Sequence, residues 1–202
     1  MNALDTTPLV AIAAALGWAS GLRLYAVLFL TGAAGYLGGV SLPAGLQVLQ
    51  HPALLIGSAV LAGLEFFADK IPGVDTASDT LQTLVRIPGG AALAAGVFGA
   101  DSATAAALAA LLGGTLAASA HAAKATTRAA VNTSPEPFSN IGMSLLGDAA
   151  VPSMLWLSWT HPEAFFIALA VALILGFVLM VVLFRFLRAL FARLSPGRQR
   201  AS

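Results

Sequence analysis

The chain contains no cysteine, which excludes disulfides, thiolate nucleophiles and cysteine-ligated metals. Charge is scarce too. Charged residues occupy 9% of 202 positions, where a soluble domain carries about 25%, so a water-soluble globule is excluded. The first ten residues hold no basic run. A cleaved signal peptide is therefore not expected, and the first apolar segment should stay in the mature protein. The short alternating segments of a β-barrel are missing. So are a nucleophile elbow, an HExxH motif and any metal-ligand spacing. No catalytic residue, metal or cofactor is assigned, and no nucleic-acid partner is expected.

What remains is strongly apolar: 58% of residues are hydrophobic, and mean hydropathy is +0.88. This composition specifies an all-α, polytopic transmembrane helical bundle in a lipid bilayer. One transmembrane domain is expected over residues 1–184, followed by a basic amphipathic tail over 185–202. The tail holds Arg185, Arg188, Arg193, Arg198 and Arg200, five of the ten basic residues, and no acid. It is read as a cytoplasmic topology signal and an anchor for anionic lipid headgroups.

Residues 8–38 are apolar but interrupted at Ser20-Gly21-Leu22-Arg23. Their length exceeds one bilayer crossing, so they form one long tilted helix or two half-helices broken near Gly21. Arg23 lies near the middle and must point inward, snorkel, or sit in a water-filled break. Gly17 and Gly21 make a GxxxG pair that admits a second backbone. An uncharged loop follows over 39–51, then a span over 52–67. The run after Ile87-Pro88-Gly89-Gly90 is about a dozen residues, the length of a re-entrant segment. Further spans are expected over 103–120, 141–159 and 162–184.

The chain is organised around residues 65–86, EFFADKIPGVDTASDTLQTLVR. Glu65 and Asp69, like Asp75 and Asp79, are four apart and share a helical face. Asp79, Thr83 and Arg86 also share one. Pro72 and Gly73 forbid a single helix, so a helix end, a turn and a short helix are expected. Arg86 precedes what reads as a Pro-Gly-Gly helix start, where free N–H groups and a cation favour an anion. A second polar stretch, residues 121–140, puts His121, Lys124 and Arg128 on one face, with Pro135 and Pro137 ending the helix. Asn132 and Asn140 are read as caps. Asp148 should pair with Arg23, Lys124 or a backbone donor.

If residues 88–98 dip in and return, the two polar stretches lie on opposite sides of the membrane. That hints at an inverted repeat with broken helices, a transporter signature. Arg23, Arg86, Glu65 and Asp69 are expected to converge in one solvent-reachable cavity.

Gly21-Leu22-Arg23, Glu65-Phe66-Phe67-Ala68-Asp69-Lys70-Ile71-Pro72 with Asp75, and Arg86-Ile87-Pro88-Gly89-Gly90 carry a resemblance, joined by His121, Lys124 and Arg128. On these residues the chain resembles the bacterial membrane-protein family named domain of unknown function 4126. Gln82 departs from the pattern, which often has histidine there. The resemblance implies a bacterial inner-membrane location and a shared polar centre, and it implies no activity. The leading reading is a transporter or flippase-like carrier of an anionic substrate, with a phosphorylated lipid as one candidate. Arg23, Arg86, Lys124, Arg128 and His121 would bind it. Glu65, Asp69, Lys70, Asp75, Asp79 and Asp148 would form ion pairs or carry a coupling proton. The alternatives are a membrane scaffold or assembly factor, an intramembrane enzyme acting on a lipid, and a cation pathway along the carboxylates. Self-association is left open.

Overall fold

Small residues decide how the first helix packs. In the computed structural model, which describes residues 6–71, 74–99, 102–133 and 138–194, α1 spans Thr6–Tyr36. Its residues Ala11 to Gly21 are all buried. Gly17 lies against the backbone of Gly113, and Gly21 against the carbonyl of Ala117. A Cβ at either position would collide with that backbone, so this contact requires glycine. Both partners belong to α4 (Ala103–Val131), and the numbers rise together. The N-terminal arm of α1 thus runs parallel to α4.

At Arg23 the backbone leaves the helix, with φ −150° and ψ 84°. Beyond it the neighbours change. Gly32 meets Leu49 and Leu55, while Tyr25 and Leu28 line a cavity with Ser58 and Leu61. These last residues belong to α2 (Pro52–Ala68), and here the numbers run in opposite directions. Since α2 and α4 carry their charged ends to the same place, α1 turns back on itself at Arg23. Of the two arrangements open to residues 8–38, the half-helices are found. The loop expected over 39–51 contains a 3-10 turn at Ala44–Gln50, bent by 73° from α2.

The remaining helices are α3 (Val74–Phe98), α5 (Phe138–Thr160) and α6 (Pro162–Leu194). Five helices are long and apolar enough to cross a membrane, and the bent pair offers a sixth span. No strand occurs among the described residues. The chain is therefore a multi-pass helical membrane protein. The most apolar window of α6 is only 6% buried against 72% for α1, so α6 lies at the periphery and α1 at the centre.

Two expectations are corrected. Residues 88–98 are not a separate dipping segment, because α3 is one helix of 25 residues that continues through Pro88. Proline is tolerated inside a span when its surroundings satisfy the freed carbonyl. Gly89 and Gly90 start no helix; a Cβ there would lie 2.8 Å from Leu24 and from the Ala117 Cβ. They are close-packing positions inside α3. With α3 and α4 both continuous, the two polar stretches lie at the same end of the bundle. The Asn132 side chain donates to Asp75 at 3.1 Å, which fixes them together. The support for oppositely oriented units disappears, and the folded-back element is α1.

Pro72, Gly73, Pro135 and Pro137 fall outside the described residues, as do Arg198 and Arg200. Helix α2 ends at Ala68 and α3 begins at Val74, so the helix break falls where the chain was expected to turn, but the following helix is long. Helix α6 continues past Phe184 to Leu194.

Candidate functional site

The ends of α2, α4 and the break in α1 meet the beginnings of α3 and α5 in one buried ionic network. Arg23, Lys70, Arg86, Lys124 and Arg128 supply five positive charges. Glu65, Asp69, Asp75, Asp79 and Asp148 supply five negative ones, so the network is formally neutral. Neutrality is what allows it to exist, because an uncompensated buried charge costs several kcal/mol.

Asp69 is the centre. It caps the C-terminus of α2, and its Oδ2 is approached by three cations: Lys124 at 2.9 Å, Arg23 at 3.0 Å and Arg128 at 3.2 Å. Its Oδ1 has no hydrogen-bond partner among the described residues. Each of the three cations also holds a second carboxylate. Arg23 reaches Asp148 at 2.8 Å, Lys124 reaches Asp79 at 3.0 Å, and Arg128 reaches Asp75 at 2.9 Å. The break in α1 takes part directly, since Lys124 donates to the Leu22 carbonyl at 3.1 Å. That carbonyl lies at the end of the N-terminal arm, next to the non-helical Arg23.

A cavity of about 220 Å³ opens onto this centre. Arg23, Asp69, Lys124 and Arg128 line its charged side. Its other walls are mostly apolar: Trp18 and Leu22 from α1, Met143, Leu146 and Ala150 from α5, Leu179 from α6.

A second arm of the network runs away from the cavity. Arg86 is fully buried and holds Glu65 at 2.6 Å and Asp79 at 2.8 Å. It also donates to His121 Nδ1 at 3.3 Å. A guanidinium has no acceptor, so Nδ1 is the unprotonated nitrogen and Nε2–H donates to Thr83 Oγ1 at 2.7 Å. Neither Arg86, Glu65 nor His121 lines the cavity.

The chain matches the family model described as Domain of unknown function (DUF4126) over residues 10–182. It belongs to that family. No curated protein and no solved structure matches it. The matched region of DUF4126 covers all ten charged members of the network and ends inside α6.

The structure therefore brings together all eleven side chains singled out from the sequence, counting His121. Four details differ from the reading. Arg23 and Asp69 line the cavity, but Arg86 and Glu65, expected to share it, are buried away from it in the second arm. Arg86 sits inside α3 rather than before a helix start, so the argument for an anion at a free N-terminus does not hold there. Asp148 pairs with Arg23, as expected, and with Lys70 at 3.0 Å rather than Lys124. Asn140 is the third residue of α5, not its cap; its side-chain oxygen faces Arg128 at 3.5 Å. Asn132 does occupy the C-cap of α4.

Ser144 escaped the sequence reading. Its hydroxyl accepts from Arg23 at 3.0 Å and from Lys70 at 3.3 Å. The available signal was its position four residues before Asp148, which puts both on one face of α5. Phe66 also takes part, with the Lys70 ammonium 3.1 Å from its ring centroid. Gln82 donates to Ser78 at 2.8 Å on its own helix and stands apart from the network.

Proposed function

We propose that this protein is a carrier for an anionic substrate, held by Arg23, Lys124 and Arg128 at the charged end of the cavity. One observation carries the reading. Three cations from α1 and α4 converge on a single carboxylate oxygen of Asp69. Such a convergence is an oxyanion site already occupied from within. Intramembrane cations are expensive and mark substrate pathways. A substrate oxyanion would replace the Asp69 oxygen while the displaced Asp69 carboxylate takes up a proton, so the cations stay paired and the network stays neutral. The broken helix at Arg23 supports the same reading, since discontinuous helices form the substrate sites of many carriers.

The Glu65–Arg86–Asp79 arm serves as the fixed half of the centre, because it is fully buried and away from the cavity. Helix α6 ends in the basic tail, so its terminus belongs in the cytoplasm of a bacterial cell, with anionic headgroups against Arg185 and Arg188. The polar centre lies toward that side. A scaffold role is the second reading, and the formal neutrality of the network favours it.

Proteoliposomes test the proposal. The protein should accelerate movement of a fluorescent short-chain phosphatidic acid between leaflets, followed by dithionite quenching. The double variant Arg23→Gln/Lys124→Gln should abolish the acceleration. A rate equal to that of protein-free liposomes, together with no protein-dependent uptake of radiolabelled inorganic phosphate into the same liposomes, would remove the carrier reading and leave the scaffold.

A further inference from the structure

We infer that the substrate carries a hydrocarbon chain, and that this chain lies in an apolar cleft between α4 and α6 that joins the charged cavity at Trp18. The inference rests on the proposed anion site and specifies what kind of anion it takes.

A second cavity, of about 180 Å³, adjoins the first. The two share Trp18, Leu22 and Ala123 as common walls. The second has no charged lining residue; α6 contributes Leu173, Gly176, Phe177 and Met180 to it. Gly176 faces Ala123, where a Cβ would come within 3.5 Å. The small residues let α4 and α6 approach closely at this point, on one wall of the cleft. The outer wall is the peripheral helix, and Phe177 at its rim is 63% exposed, which in a membrane means exposed to lipid. A charged end continuous with an uncharged cleft at the lipid boundary matches an amphiphile with an oxyanion head. A small free anion would leave the cleft unused and would have to pass the apolar walls of the first cavity.

A chain moving from bilayer to cleft exchanges one apolar surrounding for another, so it gains little driving force. The head supplies affinity and the cleft sets orientation. The test must therefore read position. The full chain is placed in phosphatidylcholine nanodiscs with Trp156→Phe and Trp159→Phe, leaving Trp18 as its only tryptophan. Dodecyl phosphate and dodecanoate, each brominated in mid-chain, are the probes. At least one should quench Trp18 saturably, inorganic phosphate should reverse the quenching, and the effective head identifies the oxyanion. Gly176→Phe should abolish quenching while calorimetric binding of inorganic phosphate persists. If phosphate binds but neither probe quenches more than brominated phosphatidylcholine, the chain site is wrong and the anion site stands. If phosphate fails to bind and neither probe quenches, the anion site fails as well.

Discussion

Removing the charge of Asp69 should create an anion site rather than merely damage the fold. At an effective dielectric near 20, two unit charges 3 Å apart attract by about 5 kcal/mol. The Asp69 oxygen has three such neighbours, at 2.9, 3.0 and 3.2 Å. Yet every one of those cations keeps another carboxylate, from Asp148, Asp79 or Asp75. The loss in Asp69→Asn should therefore sit near the lower end of the range for a broken buried pair, about 3 kcal/mol. The network is left with one positive charge too many. An added oxyanion inherits the vacated place, and recovering only half of one pair's attraction tightens its binding about 100-fold, or 2.7 kcal/mol. At 100 times its dissociation constant such a ligand returns about 2.7 kcal/mol of stability, nearly the whole loss. The assay is thermal unfolding in detergent, in sodium phosphate and in sodium chloride of equal ionic strength, together with phosphate calorimetry. Wild type should respond weakly. Asp69→Asn should unfold earlier in chloride and recover in phosphate, and Asp69→Ala, which also vacates space, should recover at least as well. A folded variant with unchanged phosphate affinity and no phosphate-specific recovery would refute the reasoning.

Gly21→Val should lower the yield of monodisperse protein in fluorescence size-exclusion, because its side chain would enter the Ala117 backbone and overpacking costs about 1–3 kcal/mol or more; Gly57→Ala, with nothing within 4 Å, should leave the profile unchanged. Glu65→Gln leaves the fully buried Arg86 paired with the Asp79 carboxylate at 2.8 Å, and thermal unfolding should show a loss of about 3–5 kcal/mol; an unchanged midpoint would argue that the arm is hydrated. With no native cysteine as background, a cysteine at Gly39, beyond the far end of α1, should react with an impermeant reagent outside intact cells. One added after Ser202 should stay protected, and the reverse pattern would overturn the cytoplasmic placement of the polar end. Arg23→Lys should retain part of the activity that Arg23→Ala loses: the contacts to Asp69, Asp148 and Ser144 all run through the terminal nitrogen Nη2, so an ammonium keeps the charge but on a shorter side chain reaches them less well.

The class of molecule and the charged members of its polar centre were legible in the sequence; the Ser144 hydroxyl that joins them was not. Apolar runs of crossing length can only be helices in lipid, because every backbone group must be satisfied internally. Charges as costly as Arg23 and Asp148 must find one another wherever the chain carries them. Helical spacing alone grouped Asp75 with Asp79, and His121 with Lys124 and Arg128, and those groupings are present. Topology was not legible. Whether Pro88-Gly89-Gly90 starts a helix or sits within one depends on what Gly89 and Gly90 pack against, namely Leu24 and Ala117, and neither is near in sequence. The same holds for the turn at Arg23, which is fixed by Gly17 and Gly21 on α4 before it and Gly32 beside Leu49 after it. Pairing within the network was likewise decided in three dimensions. The sequence offered five cations and five carboxylates without saying which would meet. Only the packing of α1 against α4 delivered Arg23, Lys124 and Arg128 to the one oxygen of Asp69, and kept Arg86 away from the cavity.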